Sequence, residues 1–172
     1  DLSCPDYETD VLIIGGGVTY SEAWKTAQFF AERFNIPIAE TQAGKGQIRW
    51  DHPLNLGGIG VTGGAAANAI AKQADLIISA GTRLTDFTTA SKWLFQNPDV
   101  KILSINVCAF DAFKMDSVSV IADADAALLD LTGKLSEIDY LSEWNNEILS
   151  ARNDYIAEMD FVVTEVLPEG LS

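Results

Sequence analysis

Short apolar, β-branched runs alternate along the chain with stretches whose apolar positions recur every three or four residues. Asp10-Val-Leu-Ile-Ile14 is the first run and ends in Gly15-Gly16-Gly17. Behind it, Ala23, Ala27, Phe30, Ala31 and Phe34 carry helical spacing through Ser21 to Phe34. The opening therefore reads strand, glycine turn, helix. Pro37-Ile-Ala-Glu-Thr41 is a second strand. Gln42 to Gly57, rich in glycine, proline and polar residues, reads as a long loop in which Asn55-Leu56-Gly57 makes no convincing strand; loops that long tend to be functional. Thr62 to Gln73 is a small-residue helix, and Leu76-Ile-Ile-Ser-Ala80 is a buried strand stopped by Gly81. Thr88 to Phe95 reads as a short helix ended by Asn97-Pro98, because proline cannot continue it. Lys101 to Asn106 and Ser117 to Ile121 are further strands, and Ala124 to Leu135 is a helix with Asp123 as its cap.

Strands that alternate with helices predict parallel βαβ units, buried on both faces and hence apolar nearly throughout. Right-handed crossovers then yield a three-layer α/β/α, doubly wound, Rossmann-like parallel sheet of five or six strands. This domain is expected over residues 1–136. Residues 137–172 are expected to form an acidic C-terminal helix and linker. Leu141, Trp144, Ile148, Ala151, Tyr155 and Met159 place one apolar stripe on that helix, which suits docking on the domain better than an interaction module.

Composition narrows the class. Of 172 residues, 48% are hydrophobic and 21% charged, which excludes a disordered chain and suits one folded domain. The longest uncharged stretches fall short of the roughly 18 apolar residues a membrane span needs, and the acidic opening lacks the basic region of a signal peptide. A cytoplasmic protein without membrane contact is expected, and the start at Asp1 suggests a piece cut from a longer chain. The net charge is −14, concentrated in the tail, where nine acids from Glu137 onward face Arg152 alone. Such a surface repels phosphate backbones, so nucleic acid is excluded as a partner. Cys4 and Cys108 lie too far apart for a metal knuckle and are read as reduced thiols. The single histidine, His52, excludes a multi-histidine metal site, and a Ser-His-Asp triad would have to use it on a polar loop.

In an open α/β sheet, ligands sit beyond the carboxyl ends of the strands. Three glycine clusters fall there. Gly15-Gly16-Gly17 begins a dinucleotide fingerprint but runs on to Val18-Thr19-Tyr20, whose last residue is too bulky for it. Glu40, at the tip of the second strand, stands where a ribose-binding acid belongs. The competing explanation is a tight turn that needs positive φ. Gly58-Ile-Gly-Val-Thr-Gly63 matches G-x-G-x-x-G literally, without a strand before it. Gly81-Thr82-Arg83 follows a buried strand, and its arginine either grips a phosphate or carboxylate or pairs with Asp86. Asp111, Asp116, Asp123 and Asp125 do not have calcium-loop spacing and read as turn and cap residues. No metal site and no catalytic constellation is expected within these residues.

Several segments together resemble a known family. They are Glu40-Thr-Gln-Ala-Gly-Lys-Gly46, His52-Pro53 with Asn55-Leu-Gly-Gly-Ile-Gly-Val-Thr-Gly63, and Ala74-Asp-Leu-Ile-Ile78 through Gly81-Thr-Arg-Leu-Thr-Asp86. The pattern is similar to the central domain of thiamine-diphosphate enzymes of the acetolactate synthase type. Thr85-Asp-Phe-Thr-Thr-Ala-Ser-Lys92 and Phe110-Asp-Ala-Phe-Lys114 make it most similar, within that superfamily, to the ring-opening trihydroxycyclohexane-1,2-dione hydrolases of myo-inositol breakdown. The resemblance runs from about Val11 to Tyr155.

It implies a three-domain enzyme, a homodimer or tetramer, with this chain in the middle and the flanking domains of the same chain as its partners. Thiamine diphosphate and Mg²⁺ would be bound by those flanking domains, the first supplying a glutamate that activates the thiazolium ring and the last a Gly-Asp-Gly…Asn segment that holds the diphosphate through Mg²⁺; no Gly-Asp-Gly occurs here. The implied reaction is hydrolytic C–C cleavage of the dione ring to 5-deoxyglucuronate. Some relatives hold FAD or ADP in the middle domain and others hold nothing. The matching crevice positions are Gly15, Gly16, Gly17, Gly44, Lys45, Gly46, Gly81, Thr82, Arg83, Asn106 and Asp123. Asn106-Val107 stands where relatives often carry an acidic strand end, and Ala122-Asp123 replaces a common Gly-Asp, so a vestigial crevice is preferred. The rival readings are another member of the superfamily, such as a synthase or decarboxylase, and a stand-alone nucleotide-binding module.

Overall fold

The apolar runs assemble, in a computed structural model describing residues 8–144 and 146–166, into one parallel sheet of order β3-β2-β1-β4-β5-β6. Its strands are β1 (Asp10–Ile14), β2 (Ile38–Glu40), β3 (Asn55–Gly58), β4 (Leu76–Ala80), β5 (Lys101–Asn106) and β6 (Val118–Ile121). This is the Rossmann order, with the switch point between β1 and β4. The register runs Leu12 to Ile38 on one side and Leu12 to Ile78 on the other. β1 and β4 are buried along their whole length, as strands covered on both faces must be.

Alternation along β1 divides the core. Leu12 and Ile14 pack with Phe30 and Phe34 of α2 (Trp24–Phe34) and Leu128 of α6 (Ala124–Glu137). Val11 and Ile13 pack with Ala67 and Ile70 of α3 (Ala65–Gln73) and with Trp144 and Ile148, which bring α7 (Asn146–Val166) onto that face. The tail stripe is therefore docked, as expected, through Trp144 and Ile148, whereas Leu141 and Met159 are exposed. Asp123 caps α6, its carboxylate accepting from the amides of Asp125 and Ala126. α2 ends at Asn35, in the left-handed conformation that closes many helices.

Four local expectations are corrected. Asn55–Gly58 is a strand, the sheet edge beyond β2, formed by backbone pairing of Ile38 with Asn55 and Glu40 with Gly58. The expected helix from Ser21 begins only at Trp24, as α2, after a break with Glu22 at φ 53°, and the expected glycine turn is itself a one-turn helix, α1 (Gly16–Tyr20). The expected helix over Thr88 to Phe95 is one turn, α4 (Asp86–Thr89), followed by Ala90, Ser91 and Lys92, all at positive φ. Gly15, Gly16 and Gly17 do not have positive φ; they are glycine because of close approach. A Cβ on Gly15 would lie 2.5 Å from the Gly81 carbonyl oxygen, and one on Gly17 would lie 2.5 Å from the Gly81 Cα. Only Gly81 in this group takes a left-handed conformation, at φ 61°.

Candidate functional site

Beyond the carboxyl ends of β1, β4 and β5, two adjoining depressions of about 390 and 320 Å³ share Gly17, Tyr20, Gly81 and Arg83 as walls. They form the crevice that the strand order places at the switch point. Gly16, Gly17, Gly81, Thr82, Arg83, Asn106 and Asp123 all line it. Gly15 lies buried behind them. Gly44, Lys45 and Gly46 do not line it: Gly44 packs under the end of β1, while Lys45 and Gly46 face a separate groove.

The crevice lies where the sequence led a nucleotide site to be expected, but its amides are largely engaged. Gly15 N donates to the Ala80 carbonyl at 2.9 Å, Gly17 N to Gly81 at 2.9 Å, Val18 N to Gly15 at 3.1 Å and Gly81 N to Ile105 at 2.9 Å. α1 spans only one turn, too short for a summed dipole. The Asn106 side chain is also committed, donating to the Thr82 carbonyl at 3.0 Å and accepting from Cys108 N at 2.9 Å. Asp123 accepts from Ser21 Oγ at 2.6 Å as well as from its helix amides. The Ser21 hydroxyl and those amides hold its carboxyl below the usual range, so it stays charged beside Arg83. Among the described residues no ion pair joins Arg83 to Asp86, and the exposed Arg83 is the cation the crevice offers. Tyr20, 91% exposed, stands at the rim with Phe87 and Val107. In the sequence Tyr20 stands out as an obstacle to the fingerprint; its place on the rim depends on how β1 and β4 meet.

The literal G-x-G-x-x-G does lie between a strand and a helix, contrary to expectation. It still forms no anion cradle. Gly60 N donates to Asn68 Oδ1 at 3.0 Å, Gly63 N to Gly60 at 3.0 Å and Val61 N to Phe87 at 2.9 Å. Gly60 is at φ 106°, and a Cβ there would press on the backbone of Phe87 and Thr88, so the glycines serve packing.

Glu40, the expected ribose acid, is buried, and its Oε1 accepts from Gly46 N, Gln47 N and Ile48 N, each at 3.1 Å. It organises the loop after β2. His52 accepts from Leu54 N at Nδ1 and meets Glu32 through Nε2 at 2.9 Å, which ties the loop to α2. Asp111 pairs with Lys114 and Asp125 accepts from Thr26. Among the described residues no group of three or more His, Cys, Asp or Glu side chains is placed to hold a metal ion. Cys108 is a free, exposed thiol, and Cys4 lies outside the described residues. No described helix is long and apolar enough to cross a membrane.

Residues 6–131 match the family described as thiamine pyrophosphate enzyme, central domain. The chain is 50% identical over 165 residues, 92% of its length, to a protein of Clostridium tetani (strain Massachusetts / E88) named 3D-(3,5/4)-trihydroxycyclohexane-1,2-dione hydrolase. It is 57% identical over 149 residues, 87% of its length, to proteins of the same name in Bacillus cereus (strain AH820) and Bacillus anthracis. The chain spans about a quarter of the length of these curated relatives, 26% and 23% respectively.

Proposed function

Because the chain belongs to the thiamine pyrophosphate enzyme family as its central domain, we propose that it is the middle of a thiamine-diphosphate-dependent hydrolase opening the ring of trihydroxycyclohexane-1,2-dione. The observation that carries this reading is the identity of 57% over 149 residues to proteins bearing that hydrolase name. The reaction class is hydrolysis of a C–C bond beside a ring carbonyl, to 5-deoxyglucuronate, within cytoplasmic inositol catabolism.

The residues of this chain do not fit a metal-bound diphosphate. The described residues offer no carboxylate cluster, and the glycine-rich turns spend their amides internally. In this reading thiamine diphosphate and Mg²⁺ are held by parts of the protein beyond these 172 residues, in a homodimer or tetramer, and supply the carbonyl chemistry there. The role of this chain is to hold those parts in place. Its sheet and helices up to residue 136 make the rigid unit, and the segment from residue 137 carries the acidic surplus of the sequence. The crevice is a vestigial nucleotide site. Its glycines keep α1 against the end of β4, and among the described residues Arg83 alone offers it a cation, where FAD or ADP would need several donors.

The decisive assay is turnover of the dione by the intact protein. Formation of a ring-opened carboxylate is expected; inactivity on the dione with turnover of pyruvate would assign the protein to the synthase or decarboxylase branch. Calorimetric titration of the 172-residue chain with FAD, ADP and thiamine diphosphate should yield no saturable heat. Micromolar binding of FAD or ADP would overturn the vestigial reading.

A further inference from the structure

A second concavity, of about 500 Å³, lies between the loop after β2 and α7 and shares no lining residue with the crevice. Its walls include Lys45, Arg49 and Trp50 from the loop and Arg152, Tyr155 and Ile156 from α7. We propose that this groove binds a small organic anion, a phosphate or carboxylate carried on a planar apolar body.

The charge distribution points to an anion. The whole sequence has 11 basic residues against 25 acidic ones, yet three of the basic ones meet here. Arg152, the sole cation beyond residue 134, turns back to the loop, where its guanidinium donates to the carbonyls of His52 and Trp50. This fixes a cation at the groove wall with little rotamer entropy left to lose. Lys45 has no ion-pair partner among the described residues, whereas Arg49 is engaged by Asp51. Two acids also line the groove. Glu40 is shielded because one oxygen already accepts three loop amides, and Asp160 sits one turn of α7 beyond Ile156. The lining thus carries three basic side chains against two acidic ones, a positive excess on a surface that is otherwise acidic.

The apolar body is required by the walls. Trp50 is 81% exposed, so among the described residues its indole face is left open to a planar body. The Tyr155 ring is seated beside Gly57 and Gly64; a Cβ on Gly64 would come within 2.6 Å of it, so glycine there makes room for the aromatic wall. A groove of this volume, mostly apolar with a few convergent cations, has the make-up of a small-molecule site. The three amides bonded to Glu40 hold the Lys45–Trp50 loop in shape without a ligand, so the site is preformed.

Phenyl phosphate serves as the probe, with inorganic phosphate and phenol as controls, each titrated into the 172-residue chain at low salt by calorimetry and amide NMR. Phenyl phosphate is expected to bind at least about tenfold more tightly than either control, the scale of one added favourable contact. Amide shifts should centre on Gly46 and Gly57 and leave Gly17 and Gly81 unmoved. Lys45→Ala and Trp50→Ala change exposed side chains and should each weaken the affinity roughly tenfold. Equal affinity for phenyl phosphate and inorganic phosphate, shifts centred on Gly17 and Gly81, or unchanged affinity in both variants would overturn the proposal.

Discussion

The two ends of the sheet solve opposite problems. At the carboxyl end, three loops meet almost backbone to backbone, with Gly15 and Gly17 against Gly81, Gly44 against the end of β1, and no room for a Cβ at any of them. At the amino end, the segment joining α6 to α7 crosses the strands and brings polar side chains inward. Trp144 Nε1 donates to the Asp10 carbonyl at 2.7 Å, Asp10 N donates to Ser142 Oγ at 3.3 Å, and the Tyr140 hydroxyl donates to Asp10 Oδ2. Asp10 is 1% exposed, and its Oδ1 is buried with no hydrogen-bond partner among the described residues. One end is held by excluded volume and engaged backbone amides, the other by side chains that include an incompletely satisfied carboxyl group. Families are expected to elaborate function at the first end, where ligands reach the strand tips, and to anchor chain segments at the second.

The contrast is broken most severely at Trp144. Trp144→Ala should cost about 3–5 kcal/mol in urea denaturation, since it empties a core position and removes the anchor of α7. A loss under about 1 kcal/mol would mean that α7 docks without it.

Next comes the pH dependence at the amino end. Burial, opposed by the Tyr140 hydrogen bond and reinforced by the charge of Asp75, raises Asp10 to about 7 from an ordinary 3.8. The native state therefore binds a proton that the unfolded chain has released. The Asp10 contribution to stability is complete below pH 3.8, declines as pH rises, and is lost above about 7. Its size is on the order of 4 kcal/mol. Asp10→Asn keeps the shape and cannot ionise, so the fall between pH 4 and 7 should flatten and the variant should melt higher than the parent at pH 8. An unchanged pH profile would show that water reaches Asp10. Asp123, at the carboxyl end, has the opposite sign: its lowered carboxyl supports the fold above pH 3.8 and loses that support as pH falls.

The carboxyl end is tested by volume. Gly17→Ala should cost about 1–3 kcal/mol through overpacking against Gly81. Gly133→Ala, in α6 with nothing within 4 Å of the new Cβ, should instead stabilise by roughly 0.5–1 kcal/mol. Similar effects from both substitutions would deny the close approach at Gly17. The smallest change is Arg83→Ala, expected within about 0.5 kcal/mol of the parent because the side chain is exposed and makes no ion pair among the described residues.

Much of this molecule is legible along the chain because the interior strands are apolar on both faces. β1, β4 and β5 stand out as uninterrupted runs, and α6 announces itself through the Asp123 cap and its spacing. The edge strand Asn55–Gly58 does not, because it has two glycines and owes its extended form to backbone pairing with β2. The turn at Ala90 to Lys92 is likewise hidden, since nothing in an Ala-Ser-Lys stretch signals positive φ without the surrounding contacts.

The candidate site divides in the same way. The glycines at positions 15, 17 and 81 are visible in the sequence as a turn cluster, which suggests positive φ, but at 15 and 17 the reason is contact with a loop 60 and more residues away, which exists only in the folded chain. Glu40 and Asp123 are visible as acids at strand and helix ends; which donors occupy them depends on how the loops close. The groove is the extreme case, for Lys45 and Arg152 are separated by more than 100 residues and meet only because Trp144 and Ile148 seat α7 on α3. By itself the sequence determined the features that depend on near neighbours: periodicity, caps, turn residues and the motifs that carry family membership. The tertiary structure decided which end of each strand faces which loop, which amides were left free, and which charges share a surface, because those depend on contacts between segments that local propensity does not couple.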